Sequence, residues 1–201
     1  MVLTPSTMLP LRSPLPEFAL PMASGTSDRD CIGSQHLPDR PLVLMLLCSH
    51  CPFVKHIEDE LSRIDRDYSA RVTLLGVASN SWITHPQDGP EALADQAQRN
   101  GWRFPYLLDQ QQTLAKALRA ACTPEFYLFA PDGEGTQTLR YRGQLDGSRP
   151  GNGLPVDGHD LRAALEAVLK GDDPDMEQQP SIGCNIKWHP GQEPRWFGET
   201  A

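Results

Sequence analysis

Cys48 and Cys51 stand three residues apart in the stretch CSHC, directly before Pro52. Two thiols at that spacing can close a redox disulfide or supply half of a metal site. Ser49 and His50 lie between them. A protonated imidazole adds positive charge beside a sulfur and can donate a hydrogen bond to a thiolate; a hydroxyl does so more weakly. Whatever stabilises the thiolate favours the dithiol and makes the disulfide more oxidising.

The neighbouring residues say how the pair is held. PLVLMLLC, residues 41–48, is a continuous apolar run of strand length, as expected of a strand covered on both faces. Pro52 suits the first turn of a helix, where its missing N–H costs nothing. Val54, Ile57, Leu61 and Ile64 then make one apolar stripe along that helix. The dithiol therefore falls at a strand-to-helix junction. There the free N–H groups of the first turn and the partial positive charge of the helix end lower a thiol pKa, to roughly 3.5–7.5 in such settings. The expectation is an exposed Cys48 that attacks and a more buried Cys51, one turn on, that resolves the mixed disulfide. Against this stands the plain reading of two inert buried thiols. A zinc site needs a second ligand pair, and the sequence offers only Cys184 and His189 far downstream; no metal is expected.

The rest of the chain reads as a scaffold for that junction. Residues 1–14 form an arm broken by prolines, with a short strand following at Phe18 to Leu20. RVTLLGVAS, residues 71–79, is a second strand and NSWITHPQDGP a loop. Helices are expected over Glu91 to Asn100, closed by Gly101, and over Thr113 to Ala121. FPYLLD is short and extended, EFYLFAPDG and TLRYRGQL form a hairpin, and Asp160 to Lys170 is the last helix, with Gly171 past its end. This order gives an α/β fold with a central mixed sheet flanked by helices. The domain is expected over residues 15–171. Residues 172–201 make a tail without periodicity that packs on it, with Trp188 and Trp196 as anchors. No internal repeat is visible.

Bulk properties exclude several functions. The 201 residues suffice for one domain with a sizeable core. A net charge of −8 argues against nucleic-acid binding. No apolar run approaches membrane-spanning length. Five cysteines, Cys31, Cys48, Cys51, Cys122 and Cys184, are too few for a disulfide framework. The N-terminus lacks a basic start followed by an apolar stretch, so the expected location is the cytoplasm, where a CxxC pair is catalytic or metal-binding rather than structural.

CSHCPFVKHIEDEL, FPYLLDQQQTLAKALRAACTPEFYLF, YRGQLDGSRPGN and PSIGCNIKW together resemble the thioredoxin fold and, more narrowly, the peroxiredoxin-like branch of the AhpC/TSA superfamily. The resemblance runs from about residue 15 to residue 190. It implies that Thr123-Pro124 is a cis bond facing the dithiol, with the Thr123 backbone free to pair with a substrate chain. Asparagine is usual in this group where Ser49 stands. Peroxidase activity is not implied, because the peroxiredoxin pattern P-x-x-x-[TS]-x-x-C finds Met45 or Cys48, not a hydroxyl, three residues before either cysteine. Leu47 replaces the tryptophan that precedes the first cysteine of thioredoxin.

Two further thiols come near by this reading. Cys122, next to Thr123, is an accessory thiol or a small buried group. Cys184 in the tail could reach Cys48 or Cys51 as a resolving or capping thiol. Lys55 and His56 read as solvated helix residues. The leading expectation is a thiol–disulfide oxidoreductase with no cofactor beyond its redox-active disulfide. Its partner would be a disulfide-bearing protein or a small thiol, with the electron donor unspecified, no nucleic acid and no membrane. An atypical antioxidant thiol peroxidase and a non-catalytic metal- or protein-binding module are the alternatives.

Overall fold

The computed structural model describes residues 3–25, 30–133 and 135–197. Its centre is β4 (Leu42–Leu46), every residue of which is buried. β4 runs parallel to β5 (Thr73–Ala78) and antiparallel to β8 (Glu125–Pro131). Beyond β5 come β6 (Tyr106–Leu108), parallel to it, then β2 (Ala19–Ser24) and β3 (Cys31–Gly33), each antiparallel to its neighbour. β9 (Gln137–Gly143) closes the other edge as the hairpin partner of β8. The seven strands lie in the order β3-β2-β6-β5-β4-β8-β9. The sheet is mixed and of thioredoxin-like type.

Side-chain alternation along β4 divides the interior into two layers. Val43 and Met45 face one side with α1 (Pro52–Tyr68), α2 (Pro90–Asn100) and α4 (His159–Lys170). The stripe Val54, Ile57, Leu61 and Ile64 is the buried face of α1. Leu42, Leu44 and Leu46 face the other side, covered by Leu114, Ala115 and Leu118 and by Ile186 and Trp188 of the tail. Gly101 and Gly171 close α2 and α4 in the left-handed conformation.

Two expectations fail here. α3 spans only Thr113–Ala117, not the stretch to Ala121. Arg119 turns to φ 52°, which ends the helix and lets residues 122–123 extend as β7 (Cys122–Thr123). The tail, moreover, carries a strand. β10 (Ile182–Asn185) lies between β7 and β1 (Leu3–Pro5), antiparallel to both, in a second sheet. Its flanks are tied down. Ser181 Oγ donates to Gly143 O at 2.6 Å, and the Lys187 amide donates to Asn80 Oδ1 at 2.8 Å. Trp188 packs edge-to-face against Trp196, 5.8 Å between ring centres. Among the described residues no helix is long and apolar enough to cross a membrane.

Candidate active site: three thiols beside Thr123

The strand-to-helix junction is built as the local sequence requires, but the helix end serves Cys51. Cys51 is the N-cap of α1, with Pro52 at the first helical position. The Val54 N–H in the first turn favours its thiolate, and the thiols of Cys184 and Cys48 donate to it more strongly still. These hydrogen bonds, from Cys184 first, outweigh burial and hold the Cys51 pKa well below the ordinary thiol range. When protonated, Cys51 Sγ donates to the Thr123 carbonyl oxygen at 3.3 Å. Cys51 Sγ and Cys184 Sγ are 2.7 Å apart.

Cys48 is not exposed, contrary to the expectation. Its relative accessibility is 0%, as is that of Cys51, and Cys184 reaches only 3%. Burial pushes the Cys48 pKa up. So do its hydrogen bond to Cys51 and the charge of Asp88. Thr123 Oγ1, 3.3 Å from Cys48 Sγ, acts in the other direction. Within the pair the Cys48 pKa is thus raised and the Cys51 pKa lowered. Cys184 is likewise held protonated, because it donates to Cys51 and is buried.

The two residues between the cysteines face a loop. The Ser49 hydroxyl sits between Gln87 O and Asp88 Oδ1, turned to that loop and not to a sulfur. His50 Nδ1 lies 2.7 Å from Asp88 Oδ2, and its ring stacks on His85 at 5.7 Å. Asp88 is buried, which alone would raise its pKa. The His50 ring at 2.7 Å and a hydrogen bond from Asn80 overcome this and hold its pKa below the usual carboxylate value.

The Thr123-Pro124 bond is cis. The Thr123 backbone, expected to be open to a substrate, is already paired: Cys184 stands opposite it in the β10–β7 register. Gly183 allows that approach, since a Cβ there would fall 2.1 Å from Thr123 O. Cys122 is buried with Sγ 3.9 Å from Pro124 O and from Glu125 Oε2. Burial and the Glu125 charge push its pKa up, as suits a small packed thiol.

A family model for AhpC/TSA matches residues 11–137, more than half of the chain. The chain belongs to the AhpC/TSA family. Among solved structures it is similar to an uncharacterized conserved protein from Geobacillus kaustophilus, at 44% identity and TM-score 0.87 over 94% of this chain and 98% of that one. A hypothetical protein from Sinorhizobium meliloti gives 38% identity and TM-score 0.86 over 94% and 100%. A secreted Mycobacterium tuberculosis disulfide oxidoreductase homologous to E. coli DsbE gives 19% identity and TM-score 0.52 over 72% and 92%, a likeness of fold. No curated protein matches. The family and these folds place the chain among thioredoxin-fold redox proteins.

Several site residues escaped the sequence reading. Asp88 comes from a loop whose spacing carries no signal. Gln96 Nε2 donates to Cys48 O at 3.2 Å and to Glu58 Oε1 at 2.8 Å, which fixes the turn from the α2 side. His56, read as solvated, has Nε2 buried without a hydrogen-bond partner among the described residues, in a small cavity beside Pro124 that Arg149 also lines. Cys48, His50 and Asp88 bring one donor atom each within 4.8 Å of one another, a set able in principle to hold a cation. Both Asp88 oxygens, however, already accept hydrogen bonds from Ser49 and Asn80.

Proposed function

We propose that the chain is a thiol–disulfide oxidoreductase whose working couple is Cys48 and Cys51. The observation that carries this reading is the placement of the thiols: Cys51 at the N-cap of a helix, Cys48 three residues before it, and a third sulfur, Cys184 Sγ, 2.7 Å from Cys51 Sγ. A thiolate is the attacking species in exchange, and a thiol within reach of it is the resolving one.

The geometry favours roles opposite to the expected ones. Cys51 attacks, because it caps the N-terminus of α1, where a thiolate is favoured, and because the strand seated at the Thr123 edge brings its own sulfur to Cys51. Cys48 then resolves. A substrate disulfide leaves as two thiols, and its two electrons come from the Cys48–Cys51 pair, which closes as a disulfide. The substrate is a small disulfide or a disulfide-bearing protein, a thiol donor restores the dithiol, and no further cofactor takes part. A reducing cytoplasm suits a chain with five free cysteines.

Equilibration of the full chain in glutathione buffers, with thiols counted after acid quench, tests the reading. The expected result is a reversible two-electron couple, absent in Cys51→Ser and in the double variant Cys48→Ser/Cys184→Ser. Thiols that stay unchanged across the whole range of buffers would refute it. For the roles, Cys48→Ser/Cys184→Ser, which lacks both neighbouring thiols, should accumulate mixed disulfides on Cys51. Accumulation only in Cys51→Ser would restore attack to Cys48.

A further inference from the structure

β10 lies where an incoming chain would have to lie. It pairs antiparallel with β7, sets Cys184 opposite Thr123, and delivers Cys184 Sγ to 2.7 Å from Cys51 Sγ. Gly183 is what lets its backbone come so close. On the far side β10 is backed by β1, so the arm and the tail hold it from two directions. Cys51 is flanked by both other thiols, Cys48 three residues before it and Cys184 with its sulfur 2.7 Å away. None of the three is open to solvent.

We propose that β10 is the site's internal substrate and Cys184 its third redox thiol, exchanging into a Cys51–Cys184 disulfide that latches the tail over the site. The inference rests on the exchange chemistry proposed above. The first disulfide, Cys48–Cys51, forms when an external disulfide takes two electrons and leaves as two thiols. Cys184 Sγ then attacks Cys51 Sγ. The Cys51–Cys184 bond forms as the Cys48–Cys51 bond breaks, and the proton of Cys184 passes to the departing Cys48 sulfur. Oxidation level is unchanged in this second step. An external substrate reaches Cys51 only after β10 leaves the Thr123 edge, so the latched form is closed until a thiol reduces it.

The test is peptide mapping of the full chain after oxidation with oxidised glutathione, acid quench and alkylation of the remaining thiols. Wild type should give both the Cys48–Cys51 and the Cys51–Cys184 link, and Cys48→Ser should give the Cys51–Cys184 link as its main product. Gly183→Ala, which forces β10 off the Thr123 carbonyl, should slow that link about tenfold while Cys48–Cys51 still closes. Full alkylation of Cys184 in Cys48→Ser, with Cys51 carrying glutathione, would overturn the latch and leave the exchange reading standing. Alkylation of Cys51 and Cys184 together would overturn both. An unchanged rate in Gly183→Ala would overturn the role given to the strand register.

Discussion

His50 Nδ1 lies 2.7 Å from Asp88 Oδ2, so the imidazole between the two cysteines is held by a carboxylate. Asp88 is ionised, and its charge raises the Cys48 pKa. His50 therefore acts on Cys48 chiefly through Asp88.

Paired variants follow from this arrangement. His50→Ala leaves the Asp88 charge bare, so the apparent pKa of the dithiol should rise and the disulfide become harder to reduce. Asp88→Asn should move both quantities the other way. The expected size is on the order of 30 mV, equivalent to about 1.4 kcal/mol for a two-electron couple. Thiolate absorbance against pH and redox titration read the two effects. The double variant should fall near Asp88→Asn, because His50 has nothing left to cancel. A rise in pKa with Asp88→Asn would show that His50 supports the sulfur directly.

The same three residues bear on metal binding. Zinc needs its ligands at about 2.0–2.3 Å, and here the carboxylate oxygens are already committed to Ser49 and Asn80. Protein purified without chelator should carry no stoichiometric zinc or iron after dialysis. Bound metal lost in Asp88→Asn would replace the redox reading with a metal site.

Peroxide should react weakly. A peroxide needs fixed donors on its leaving oxygen, and a thiolate alone supplies only part of that stabilisation. Three residues before Cys51 stands Cys48, whose sulfur lies 3.3 Å from Thr123 Oγ1 and offers no hydroxyl to a peroxide. Thiol loss under hydrogen peroxide should match that of a simple thiol. A rate constant far above it, abolished by Cys51→Ser, would make the chain a peroxidase.

The framework around the dithiol was legible because its signals are local. The unbroken apolar run made β4, the apolar stripe of α1 was its buried face, and Gly101 and Gly171 ended their helices. What stayed hidden depends on distant pairing. β10 has four residues with a glycine among them, and its strand form comes from Cys122–Thr123 and Leu3–Pro5, not from its own periodicity. Cys48 looked exposed because nothing near it in sequence announces that Thr123, 75 residues on, packs against its sulfur. Asp88 could not be tied to His50 across a loop without regular spacing.

Glu125 provides a pH signature for the core behind the site. It opens β8, one residue after Pro124, and is fully buried. Its oxygens accept hydrogen bonds from the Tyr127 hydroxyl at 2.7 Å and the Ala121 amide at 3.0 Å. Burial outweighs these and lifts its pKa from 4.5 to about 7. Between those values the folded chain binds a proton that the unfolded chain does not. Stability should therefore fall as pH rises through that window, then level off above it. At most about 3 kcal/mol is at stake, from the size of the shift. Glu125→Gln keeps the shape and removes the titration. Urea unfolding of the reduced chain, with and without the substitution, should show the variant gaining on wild type across the window. The difference should be flat below it and above it. Parallel profiles throughout would mean that the carboxyl of Glu125 titrates alike in the folded and the unfolded chain.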